Sequence, residues 1–194
     1  MKNRILKIVT SIILTLTVSL SLSSSATSLV FLPTVSVYGA EKKMTVDELI
    51  KSMTLRDKIA QMMMVSFRYW DEELLDGESP TNFTVMNEQV AGIIETYHLG
   101  AVIYFAQNLE ETKQSYELTM EMQKAAVKNG GIPMLVCADQ EGGLVYRLKT
   151  GTALPGNMAL GATANSGYSY LAGQGIGSEL STIGINTNLA PVVD

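Results

Sequence analysis

Three short apolar runs recur along this chain: 61–67 (QMMMVSF), 101–105 (AVIYF) and 133–139 (PMLVCAD). Runs of this length that lack polar alternation read as strands buried on both faces, as in parallel sheets. Between them lie stretches with helical period. Met86, Val90, Ile93, Ile94 and Tyr97 fall on one helix face, and Gly100 is placed to end that helix. A longer helix is predicted to open at Asn108 with Glu111, to carry Tyr116, Met120 and Val127 on one face, and to close at Asn129-Gly130-Gly131. Residues 168–183 form a predicted Gly-rich helix, and 186–194 (NTNLAPVVD) begin a fourth strand. Upstream, Thr45 with Glu48 and Thr54 with Asp57 read as capping boxes that start two short helices. Residues 70–82 and 140–167 read as loops.

Strand and helix in strict alternation predict an α/β fold with a parallel sheet. Two architectures use that order, the eight-stranded (β/α) barrel and the open doubly wound sheet, and periodicity does not separate them. A nucleotide-binding sheet wants a Gly-rich turn directly after its first strand, and Arg68-Tyr69-Trp70-Asp71 stands there instead. The run Gly173-Gln174-Gly175-Ile176-Gly177 follows no strand, so its glycines are expected to allow close helix packing. The barrel is favoured because Asp139, an acid, sits where an apolar strand runs into a loop, the place where barrel sites lie. A full barrel takes about 250 residues and eight strands. Four strands are legible, so the expectation is an incomplete (β/α)8 barrel, about its first half, with two strand edges open. That half either belongs to a larger protein or pairs with another copy; the oligomeric state is left open.

The first forty residues differ from the rest. Lys2, Arg4 and Lys7 precede an apolar run from about Ile8 to Leu22, and no charge follows until Glu41. This is the pattern of a secretory signal peptide, with cut points that fit after Ala26 or near Ala40. An uncleaved membrane anchor is the other reading, disfavoured by the Ser-rich second half and Pro33. The expected division is therefore a leader, 1–40, and one domain, 41–194, in a protein that is secreted or held at the cell surface. Residues 41–194 carry 11 basic and 19 acidic side chains, a formal charge of −8. That argues against nucleic acid as a partner. Cys137 is the only cysteine and lies in an apolar run, so it reads as a small buried hydrophobe.

The segment Asp139-Gln140-Glu141-Gly142-Gly143 carries the chemistry. A carboxylate at a strand end can accept hydrogen bonds from two neighbouring hydroxyls of a sugar. Gly142 and Gly143 let the backbone turn sharply beside a ligand. Arg147, eight residues after Asp139, offers a planar fork of donors. Glu141 is expected to pair with Arg147 as a loop staple, whereas Asp139 and Arg147 are expected to touch ligand. His98, the only histidine, is expected to cap a helix end rather than catalyse.

Five blocks together, 53–62 (MTLRDKIAQM), 100–105 (GAVIYF), 139–143 (DQEGG), 154–162 (LPGNMALGA) and 184–194 (GINTNLAPVVD), resemble glycoside hydrolase family 3. The form DQEGG is similar to the bacterial β-N-acetylglucosaminidase (β-N-acetylhexosaminidase) branch. The resemblance implies that Asp139 binds hydroxyls of the terminal sugar and that Arg147 helps to hold it. Glu141, Gly142, Gly143, Asn157 and Met158 would shape the site, and Asp194 would be structural or would support the site residues from behind. Leu144 departs from relatives, which commonly carry Arg there. A retaining hydrolase of terminal β-linked N-acetylhexosamine, acting on peptidoglycan or chitin-like glycans, is implied, with no cofactor and no metal. In that branch the nucleophilic Asp, the His acid/base and a Lys-His pair lie beyond the fourth strand, so no catalytic group is expected in this chain. A non-catalytic sugar-binding or self-pairing half-barrel is the alternative.

Overall fold

The computed structural model describes residues 44–71 and 80–192. The leader, Asp194 and most of the acidic loop after Trp70 lie outside the described residues. Seven-residue helices open the fold: α1 (Val46–Ser52) and α2 (Leu55–Gln61). Thr45 with Glu48 and Thr54 with Asp57 form the two reciprocal capping boxes that the spacing predicts. Strand β1 (Met64–Val65) follows, then α3 (Glu88–Tyr97), β2 (Ala101–Tyr104), α4 (Thr112–Val127) and β3 (Leu135–Ala138). A short α5 (Asn157–Ala162), the long α6 (Ser166–Thr182) and β4 (Thr187–Asn188) complete the order. The strands form one parallel sheet in the order β1-β2-β3-β4, which is the order of successive units in a (β/α) barrel.

Register and alternation sort the strand residues onto two faces. Val65, Val102, Tyr104, Val136 and Ala138 lie on the face that packs against the helices. They meet Val90 and Ile94 of α3, Leu118 and Met122 of α4, and Ile176 and Leu180 of α6. Met64, Ala101, Ile103, Leu135 and Cys137 lie on the opposite face. No helix covers that face among the described residues, and Leu135 remains 53% exposed there. The interior side of a barrel sheet is therefore the side that this fold leaves open.

Several expectations are corrected. The run 61–67 is not one strand, because α2 extends through Gln61 and only Met64 and Val65 pair with β2. The long helix starts at Thr112, not Asn108. Its buried face is Ser115, Leu118, Thr119, Met122 and Ala126, and Tyr116 is exposed. Asn108 is instead a buried tie between loops: its Oδ1 accepts from the Phe105 N–H at 3.0 Å. Its Nδ2 donates to the carbonyls of Phe67 (3.0 Å) and Phe83 (2.8 Å). Gly100 does not end α3. His98 takes the left-handed cap (φ 50°), while a Cβ at Gly100 would stand 2.0 Å from the Gln61 carbonyl oxygen. The expected cap role of His98 is thus filled by its backbone, and its ring sits 3.4 Å from Asp57. A Cβ at Gly173 or Gly177 would meet nothing within 4 Å, and one at Gly175 only the Leu154 side chain at an ordinary 3.5 Å, so the expected close helix packing is not made among the described residues. The fourth strand pairs only at Thr187–Asn188, and α5 interrupts the predicted 140–167 loop.

Candidate functional site

Asp139 follows Ala138 at the end of β3 and, two residues beyond Cys137, projects on the open face of the sheet. Phe105 occupies the equivalent place beyond β2, two residues after Ile103. The chain then leaves β3 in a tight hairpin, in which Gly142 bridges Val145 and the Glu141 N–H donates to the Val145 carbonyl at 3.0 Å. Gly142 has φ 83°, and a Cβ there would lie 2.6 Å from the Pro155 carbonyl oxygen. Only glycine fits both the left-handed backbone and this close approach. The hairpin returns Arg147 to the strand end, where its Nη2 donates to Asp139 Oδ2 at 3.4 Å.

That separation is long for a charge-assisted bond, which normally closes to about 2.7–2.9 Å. Both side chains are about three-quarters buried, at 28% and 24% exposure. The Arg147 Nε is buried with no hydrogen-bond partner. The pair is thus brought together without being saturated: the Asp139 carboxylate and the Arg147 Nη groups have hydrogen-bonding capacity left for a neutral polyhydroxyl ligand, while the Nε is buried away from it. The Arg147 guanidinium also lies 5.7 Å from the Phe105 ring centroid, and Arg68 stacks on the same ring at 3.5 Å. Arg68 lies three residues beyond Val65, at the end of β1. Asp139, Arg147, Phe105 and Arg68 therefore meet at the ends of three adjacent strands.

Glu141 does not staple Arg147, which turns to Asp139 instead. Glu141 and Asn157 line a separate cleft of about 560 Å³ with Gln140, Asn188 and the glycine face of α6. Gly143 packs on Gly156, its N–H donating to the Leu154 carbonyl at 2.9 Å. Met158 points away into solvent at 90% exposure. Two members of the cluster, Arg68 and Phe105, do not stand out in the sequence. The period-two count along β1 and β2 carries the signal, since it puts both on the face of Asp139. Cys137 is fully buried beneath the site; burial pushes its thiol up, and the nearby Asp139 charge adds to this.

Residues 54–194 match the family model "Glycosyl hydrolase family 3 N terminal domain". Beta-hexosaminidase A of Pseudoalteromonas piscicida is 33% identical over 150 residues, which are 73% of this chain and 25% of that protein. The structure of a glycoside hydrolase family 3 beta-N-acetylglucosaminidase from Paenibacillus sp. str. FPU-7 aligns with a TM-score of 0.62 at 38% identity, covering 72% of this chain and 24% of that one. An exo-1,3/1,4-beta-glucanase from a Pseudoalteromonas species aligns with a TM-score of 0.59 over 76% of this chain and 17% of that one. Its 22% identity speaks for the fold alone. The chain spans about a quarter or less of the length of each of these relatives.

Proposed function

This chain belongs to glycosyl hydrolase family 3, and from that premise we propose that it is the sugar-holding part of a β-N-acetylhexosaminidase. The observation that carries this reading is the unsaturated pair of Asp139 and Arg147 on the open face at the strand ends. The carboxylate takes two adjacent hydroxyls of a terminal sugar, and the guanidinium donates to the same ring from the side. Phe105 lies against the Arg68 guanidinium and within cation–π reach of that of Arg147, and Arg68 adds donors from the end of β1. The relatives named beta-hexosaminidase and beta-N-acetylglucosaminidase favour N-acetylhexosamine as that sugar. Glycans of the peptidoglycan or chitin type present it as a terminal residue.

The described residues hold sugar in this reading and, among them, none is assigned to cleave the bond. A retaining hydrolysis needs a nucleophile and an acid/base flanking the anomeric carbon, and Asp139 is engaged with hydroxyls instead. The leader, with its basic start and apolar run, supports action outside the cytoplasm, with 1–40 as leader and 41–194 as the barrel portion. The test is turnover of a chromogenic N-acetyl-β-glucosaminide and a β-glucoside. The whole protein that carries this chain is expected to cleave the first in preference. The purified 194-residue chain is expected to cleave neither. Equal cleavage of both by the whole protein, or turnover by the chain above the buffer blank, contradicts the reading.

A further inference from the structure

Gln140 follows Asp139, yet its side chain is only 2% exposed, an unusual place for an amide in a surface loop. Its Oε1 accepts two backbone N–H groups from the far side of the hairpin, Arg147 at 2.7 Å and Leu148 at 3.2 Å. Its own backbone is clamped by Asn188 of β4. The Gln140 N–H donates to Asn188 Oδ1 at 3.0 Å, and the Gln140 carbonyl accepts from Asn188 Nδ2 at 3.0 Å. One residue thus fixes both ends of the loop that separates Asp139 from Arg147. Among the described residues the Arg147 guanidinium has one hydrogen bond, the long Nη2 contact to Asp139, and its Nε has none, so its place depends strongly on where its backbone is held.

We propose that Gln140 is the positioning residue of this site: its side-chain carbonyl sets the distance of the Arg147 guanidinium from Asp139, with Asn188 as the anchor. The chemistry explains the residue type. The role needs a neutral group with two acceptor lone pairs at the reach of a four-atom side chain. Leu or Met would leave two buried N–H groups orphaned, and a carboxylate would bury charge. The effect on sugar rests on the function proposed above, whereas the effect on Arg147 does not.

The experiment uses the full chain with two readouts: titration with N-acetylglucosamine, and the Nε–H resonance of Arg147 by ¹⁵N NMR, assigned with Arg147→Ala. Gln140→Met keeps shape and removes the acceptor. It is expected to weaken N-acetylglucosamine about tenfold, as Arg147→Ala does, and the double variant is expected to be no worse than either. The Arg147 resonance should move in Gln140→Met and stay in place in Gly92→Ala, a helix position with open space around it. If Gln140→Met fails to fold, Gln140→Asn, which withdraws the acceptor by one methylene, carries the same expectation. An unmoved Arg147 resonance in a folded variant overturns the proposal whatever the sugar does, and so do additive losses. If the wild-type chain takes no sugar while the resonance still moves, the positioning role stands and the sugar-holding function falls.

Discussion

Replacing Asn108 by Ala removes three buried hydrogen bonds at once: to the Phe105 N–H and to the carbonyls of Phe67 and Phe83. Asn108 is 1% exposed, so water cannot take over from the lost amide. Each bond is worth about 1 kcal/mol net, and an orphaned buried group costs up to about 3 kcal/mol. Two of the three orphans are carbonyls, whose second lone pair softens the penalty. The expected loss is about 3–5 kcal/mol, a large share of a domain's usual 5–15 kcal/mol or so. Urea unfolding reports it through Trp70, which packs edge-on against Phe67 at 6.0 Å between ring centroids and is the only tryptophan. Asn108→Asp keeps the acceptor but sets a buried carboxylate oxygen against the Phe67 and Phe83 carbonyls, so it should lose at least as much as Asn108→Ala. A loss below about 1 kcal/mol for Asn108→Ala would refute the reasoning, because it would mean that the three partners find other donors and acceptors.

Other substitutions test neighbouring parts of the fold. Gly100→Ala pushes a Cβ to 2.0 Å from the Gln61 carbonyl oxygen, a backbone atom that cannot swing aside, and should cost about 3 kcal/mol or more; Gly92→Ala, mid-helix with open space, should gain about 0.5–1 kcal/mol. Thermal melts of the two variants should therefore move in opposite directions. The Thr54 hydroxyl, then the Thr54 N–H, hold the Asp57 carboxyl below its ordinary value, and the nearby His98 adds a little. A depressed carboxyl contributes stability above its unfolded pKa and loses it as pH falls through the folded one. Melting temperatures of wild type and Asp57→Asn should accordingly converge as pH drops below about 4, and parallel curves down to that range would contradict the assignment.

The parallel order is legible because each unit repeats a buried run and a periodic helix. The exact strand lengths are not, for a local reason at β1. Met62 and Met63, which precede the strand, are apolar yet exposed, so hydrophobicity there marks an uncovered surface and not a strand. Asn108 misleads because an Asn three residues before Glu111 resembles a cap, while the amide is spent on three loop backbones instead. At the site, Asp139 and Arg147 can be singled out from strand position and spacing, but their pairing cannot, since the expected partner of Arg147 is Glu141 and it meets Asp139 instead. Gln140 cannot, since a buried amide bonding across a hairpin leaves no periodic trace. Arg68 is hidden because the apolar run around β1 is longer than the strand, which obscures the face that the strand's end presents, and Phe105 because it closes an apolar run and reads as core.

The central claim is that Asp139 holds the sugar, and titration of the chain with N-acetylglucosamine tests it most directly. Wild type should bind, and Asp139→Ala, still folded, should lose at least about tenfold in affinity, the worth of one or two charge-assisted hydrogen bonds. Binding of equal strength by wild type and Asp139→Ala would contradict the account.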